Sequence, residues 1–218
     1  PHLDSVGASV MDYRHSHPEQ DHSPTYRRLK AMPKVELHRH LAGSLRLGTM
    51  LDIAREYGLA LPGGSAAALW RFVQMTPRDA PNADIFISKF GALRPFYRSR
   101  EVIERVAYET VLDAAADNIV YLELHFTPVA LAAQMGFPLT DVAGWVLGAV
   151  ERASRETGVQ VRGIVSMNRH EPVELGEQQV EVAIAHMDRG VVGVDLAGSE
   201  NAYPGAPFAR AFPRAREA

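Results

Sequence analysis

His38 and His40 stand two residues apart in Met32-Pro33-Lys34-Val35-Glu36-Leu37-His38-Arg39-His40-Leu41-Ala42-Gly43-Ser44. Apolar and polar residues alternate along this stretch as in a β-strand, where residues i and i+2 project from one face. The alternation predicts His38 and His40 side by side with Glu36 below them, and Val35, Leu37 and Leu41 on the opposite face. Two imidazoles so placed can share one transition-metal ion, at metal–nitrogen distances of roughly 2.0–2.1 Å for zinc. Two solvated histidines at a polar strand end would give the same pattern. The chain contains no cysteine, so any metal must be held by histidine and carboxylate, and neither a disulfide nor a thiolate nucleophile is available.

The elements that must position such a pair can be read from composition and periodicity. The chain has 218 residues, 46% hydrophobic and 22% charged, with a formal net charge of −3. That is globular material for one core, with no basic stripe for a nucleic acid and no long apolar run or signal-peptide pattern for a membrane. A cytoplasmic protein is expected. Residues 1–31 are polar and lack an apolar period, which predicts a mobile N-terminal arm; its His2, His15, His17 and His22 are expected to be solvated.

From there strand and helix alternate. The spacing predicts a helix over 48–57 ended by Gly58, then an irregular aromatic-rich segment that forms a helical lid insertion at about 59–98. Ser99 caps a predicted helix running to about Asp117, and the second strand covers 119–126, with Glu123 and His125 on one face. A helix capped by Thr140 runs to about Glu156, followed by a strand over 159–166. A helix ending at Gly190 leads into the strand Val191-Val192-Gly193-Val194-Asp195-Leu196. Such alternation means βαβ units and a parallel sheet. No Gly-rich phosphate loop opens the first helix, which argues against a dinucleotide fold. His38, His40, His125 and Asp195 gather where strands end, and a (β/α)₈ barrel places its active site at that face. The expected fold is therefore α/β, a (β/α)₈ TIM barrel of which the chain supplies about the first four units.

Pro33-Lys34-Val35-Glu36-Leu37-His38-Arg39-His40-Leu41-Ala42-Gly43-Ser44-Leu45-Arg46 resembles the opening signature of the adenosine deaminase family, and Val192-Gly193-Val194-Asp195-Leu196-Ala197-Gly198-Ser199-Glu200 resembles its fourth-strand signature. Between them, Val106-Ala107-Tyr108-Glu109, Val120-Tyr121-Leu122-Glu123 and Thr127-Pro128 are also similar to runs of the family. The resemblance covers roughly Met32 to Ala218. It implies a zinc-dependent barrel amidohydrolase that converts a 6-aminopurine nucleoside or base, such as adenosine, to the oxo product plus ammonia. His38 and His40 would be the first two zinc ligands. The nucleophile would be a metal-bound hydroxide, because a bound divalent cation brings the pKa of its water from about 15.7 toward 7. The backbone N–H of Gly198 would meet a purine ring nitrogen, and Phe86 and Phe90 would form an apolar lid. The thiolate zinc site of cytidine-type deaminases is excluded.

The sequence departs from the family pattern at three places. Ala42 stands where the family usually carries an acidic residue that touches the sugar, which keeps an adenine or aminofutalosine-type deaminase open as an alternative. His125 stands where the family tends to have arginine, and is expected to be a structural interior histidine. The third histidine ligand, the glutamate proton donor, the second catalytic histidine and the aspartate ligand belong to strands after the fourth, so catalytic residues are expected beyond Ala218. The chain is thus expected to be half a barrel, completed by a continuation of the same polypeptide or by a partner; a truncated, non-catalytic purine-binding chain is the remaining alternative. A helix is expected over 207–218, with Pro213 either starting it or making it irregular.

Overall fold

The computed structural model describes residues 23–218. His2, His15, His17 and His22 therefore lie outside the described residues. The expected arm is corrected over its last residues: Pro24–Ala31 form helix α1, with Pro24 in its first turn and the Ser23 hydroxyl accepting from the Tyr26 N–H. None of its residues is buried, so no apolar period could announce it. Polar contacts hold it instead. Lys30 Nζ lies 2.7 Å from Asp117 Oδ1, and the Asn118 amide donates to the Ala31 carbonyl at 2.5 Å.

Strand β1 (Lys34–His40) leads through a short 3₁₀ turn at Ala42–Ser44 into α2 (Leu47–Tyr57), which Gly58 ends in the left-handed region at φ 62°. The aromatic-rich segment over 59–98 contains two helices, α3 (Ala66–Val73) and α4 (Ala83–Leu93), capped by Ser65 and Asn82. Helix α5 (Arg100–Ala116) starts at the Ser99 cap and precedes β2 (Ile119–Phe126). A short helix α6 (Pro128–Ala132), with the proline in its first turn, comes before α7 (Leu139–Thr157). Thr140 lies inside the first turn of α7 and is not its cap. Strand β3 (Gln160–Asn168), α8 (Val173–Ile184) and β4 (Val191–Ala197) follow, with Gly190 left-handed at φ 93° between the last two. The expected final helix is split: a 3₁₀ turn at Ala206–Arg210 precedes α9 (Ala211–Glu217). Pro213 then falls in a first turn, where its missing N–H has no intrahelical partner to lose.

The four strands are all parallel and lie in the order β1-β2-β3-β4. Each crossover adds the next strand to the same edge, with no reversal of the kind that divides a doubly wound sheet. This is barrel winding. The core lies between the sheet and its helices. Leu122, Leu124 and Phe126 of β2 and Val165 of β3 are buried with Ile103, Val106 and Val111 of α5 and Val142, Val146 and Ala149 of α7. A smaller cluster joins Met167, Val180, Phe208 and Ala211.

The other face of the sheet carries Tyr121, Glu123 and His125, and here β1 departs from the simple alternation. Val35 pairs with Tyr121 and Glu36 with Leu122, yet Arg39 pairs with Leu124 and His40 with His125. Leu37 and His38 together oppose a single residue of β2, a β-bulge. The bulge moves Glu36 to the helix side, where it pairs with Arg39 at 2.6 Å, and turns Val35 to the histidine side. Glu36 therefore does not sit below the histidines. Val35 and Leu37, expected on the opposite face, are 60% and 58% exposed, whereas Leu41 is fully buried.

Candidate metal centre

His38 and His40 leave the C-terminal end of β1 with their Nε2 atoms 3.0 Å apart and their rings edge-on at 69°. Two nitrogens sharing one tetrahedral zinc sit roughly 3.3 Å apart, so this pair is spaced for a common ion. His125 at the end of β2 packs its ring 4.1 Å from that of His38. Asp195 enters from β4, and its Oδ2 accepts from His125 Nδ1 at 2.6 Å. Nitrogens of the three imidazoles and a carboxylate oxygen of Asp195 all lie within 4.8 Å of one another.

The electrostatics of the four are coupled. Burial lowers the pKa of His40, and the neighbouring imidazoles of His125 and His38 lower it further against the opposing charge of Asp195. His40 is thereby kept neutral, the form in which an imidazole binds metal. Burial would also lower His125, but the hydrogen bond and charge of Asp195 outweigh it and the net shift is upward. Burial would raise Asp195, but the hydrogen bonds of His125 and Ser166 and the charges of His125 and His40 together more than offset it, leaving the carboxyl below its usual range.

The cluster forms the floor of a cavity of about 550 Å³. Ala42, Phe86, Phe90 and Gly198, singled out in the sequence as substrate-contacting, all line it together with His38 and His40. Phe86 and Phe90, one turn apart on α4, meet edge to face at 5.4 Å, and Phe90 lies 6.3 Å from His40. Gly198 adopts φ 114°, a conformation that side-chain-bearing residues rarely take. The Ser199 hydroxyl reaches Asp84 at 3.1 Å, tying the loop after β4 to the start of α4. The buried hydroxyl of Tyr97 also lines the cavity without a hydrogen-bond partner, and burial pushes its pKa up.

Residues 33–218 match the family model for adenosine deaminase. The chain belongs to the adenosine deaminase family. It is 37% identical over 187 residues to an adenosine deaminase of Serratia proteamaculans, covering 86% of this chain and 56% of that protein. An adenosine deaminase of Pectobacterium atrosepticum is 34% identical over 187 residues, with 86% and 55% covered. The chain thus spans about half the length of the curated relatives it matches. Among solved structures, an amidohydrolase from Burkholderia ambifaria with bound Zn superposes with a TM-score of 0.77 at 26% identity, covering 93% of this chain and 54% of that one. ADAL from Arabidopsis complexed with GMP superposes at 0.74 and 28% identity, with 88% and 57% covered. The fold is accordingly the first four β/α units of the family's (β/α)₈ barrel.

Family membership does not by itself bring out His125 and Asp195, and neither was singled out in the sequence as a metal ligand. Their positions at strand ends were visible, but residues 125 and 195 meet only because β2, β3 and β4 stand in register, with Ser166 of β3 opposite Asp195.

Proposed function

We propose that this chain forms the metal- and purine-binding half of a hydrolytic deaminase, which removes the amino group of a 6-aminopurine nucleoside or base as ammonia. The observation that carries the reading is the His38–His40 pair, spaced for one ion at the floor of a cavity walled by Phe86, Phe90 and Gly198. His38 and His40 would hold the ion, and zinc suits two imidazole donors. Bound there, it supplies Lewis acidity and lowers the pKa of its water toward 7.

The chain's own residues bind and orient. Phe86 and Phe90 cover an aromatic base and keep water from it, as apolar pocket walls do. Gly198 brings backbone to the cavity wall with no side chain in the way, and its N–H is the group offered to a ring nitrogen. Val35 and Leu37 on β1 and Val192 on β4 are exposed apolar residues on the two edge strands. We read them as surface covered by the remaining strands, supplied by the same polypeptide or by a partner.

One observation favours a second substrate within the same chemistry. Ala42 lines the cavity with a methyl group where the resemblance puts an acidic sugar contact, which suits adenine or an aminofutalosine-type nucleoside as well as adenosine. The test is ammonia release from adenosine, adenine and AMP by the zinc-loaded protein with its closing strands present. Turnover of one of them supports the reading. If no 6-aminopurine yields ammonia, the reading falls.

A further inference from the structure

We propose that Tyr97 sets the class of substrate: its hydroxyl takes a sugar hydroxyl, so the cavity is built for a 6-aminopurine nucleoside rather than for the free base. The proposal rests on the purine reading above. Tyr97 follows the 3₁₀ turn Arg94–Phe96 that joins α4 to the Ser99 cap of α5, and its N–H donates to the Arg94 carbonyl at 3.3 Å. It is 1% exposed, yet it lines the cavity together with Leu41, Phe90, Phe126 and Leu131. The hydroxyl has no hydrogen-bond partner there. A buried hydroxyl without a partner destabilises the fold, and packing alone needs only the ring, which phenylalanine would supply.

Other polar side chains of the cavity are already engaged within the protein. Asp195 is held by His125, the Arg169 guanidinium donates to Glu200, the Ser88 hydroxyl donates to the Ile85 carbonyl, and the Asn168 amide donates to Glu171. The Tyr97 oxygen waits for a partner from outside. Elimination on the ligand side leaves the sugar. In the purine reading the reacting amino group belongs at the His38–His40 end, a ring nitrogen meets the Gly198 N–H, and the ring faces Phe86 and Phe90. Hydroxyls of an attached sugar are the groups still unmatched, and Ala42 on the cavity wall offers them only a methyl. Burial raises the Tyr97 pKa, so the phenol keeps its proton and can both donate and accept, as an alcohol does. A site built around a substrate hydroxyl rejects the analogue that lacks it, because its own polar group is then left unpaired. The free base would leave Tyr97 in that state.

The experiment is calorimetric binding of inosine and hypoxanthine, which carry no amino group to remove, to the zinc-loaded protein with its closing strands present. Wild type and Tyr97→Phe are compared, and both are also titrated with 2′-, 3′- and 5′-deoxyinosine. Tyr97→Phe should weaken inosine about 2–12-fold, the span of one neutral hydrogen bond, and leave hypoxanthine within about twofold. One of the deoxyinosines should bind wild type as weakly as inosine binds the variant, and should lose nothing further on Tyr97→Phe. The urea midpoint of the ligand-free protein should hold or rise, since the hydroxyl removed had no partner. A lower midpoint would show that the protein itself satisfies the hydroxyl and would overturn the proposal, as would equal losses for inosine and hypoxanthine. If Tyr97→Phe changes neither affinity while wild type binds inosine and releases ammonia from a 6-aminopurine, the sugar contact alone is refuted. If wild type binds neither purine, the purine reading falls and the contact with it.

Discussion

Glu36 and Arg39 form an ion pair at 2.6 Å although they are three residues apart in one strand. In a regular strand such residues point to opposite faces. The bulge at Leu37 and His38 resolves the conflict, because the extra residue restores the histidines to the face of His125 after Glu36 has turned the other way. Deleting Leu37 should leave a regular strand with Glu36 and Arg39 on one face and His38 and His40 on the other. The shortened chain should keep stoichiometric zinc binding by chelator competition, and loss of binding would mean that the bulge itself shapes the site.

The His125–Asp195 pair also has a stability consequence. His125→Phe leaves the Asp195 charge without its partner. Breaking a fully buried pair costs roughly 3–5 kcal/mol. The Asp195 side chain retains 25% exposure, so water compensates in part. Urea unfolding of the metal-free chain should show a loss of about 2–3 kcal/mol, and a loss under 0.5 kcal/mol would show that the pair is not formed in solution.

Val35 and Val192 are 60% and 56% exposed on the two edge strands. Val35→Ser and Val192→Ser should change the stability of the 218-residue chain by no more than about 0.5 kcal/mol, as surface substitutions do. In a protein whose barrel is closed over these edges, each should cost about 1–2 kcal/mol of lost apolar burial. Equal effects in both settings would mean that closing strands do not cover these residues.

Gly198 carries φ 114°, and a Cβ there would meet Arg169 no closer than 3.6 Å. Space is therefore not limiting, and the cost of Gly198→Ala is the backbone conformation, about 1–3 kcal/mol. Thermal melting should fall accordingly and purine affinity should drop, measured by calorimetry. Unchanged purine affinity would remove the Gly198 backbone from the binding wall.

The Lys30–Asp117 pair that holds α1 is pH-dependent in a defined direction. The Lys30 hydrogen bond is the main cause that holds the Asp117 pKa below its ordinary value. A depressed carboxyl stabilises the fold above its unfolded pKa of about 3.9 and loses that contribution as pH falls through the folded value. Both side chains are more than two-fifths exposed, so the pair is worth about 0.2–1 kcal/mol. Lys30→Met should lower stability by that amount at pH 7 and by nothing at pH 2.5. A constant difference at both pH values would place the effect elsewhere.

Local signals were legible without the structure. The alternation of elements, the Ser99 cap, the stop at Gly58, and the pairing of His38 with His40 all depend on residues within a few positions of each other; the helix expected to run to Gly190 instead ends at Ile184, and Gly190 closes a 3₁₀ turn after it. Their physical cause is backbone dihedral preference and side-chain period. The absence of cysteine likewise confined any metal to imidazole and carboxylate. The resemblance to the family extended this to the barrel and pointed to Phe86, Phe90 and Gly198, which line the cavity with the histidines.

What only the tertiary structure decided depends on register and on long-range closure. Periodicity put Glu36 beneath the histidines, and pairing of β1 with β2 moved it to the other face, because a single extra residue reverses every side chain before it. Helix α1 buries nothing and is held by Lys30 and Asn118, so no apolar period in its own residues could reveal it. His125 and Asp195 are separated by 70 positions and meet through a hydrogen bond that three parallel strands bring into reach. By itself the sequence determined which groups were available for chemistry; the sheet decided which of them face one another, since proximity in space is set by strand register and no single strand contains that information.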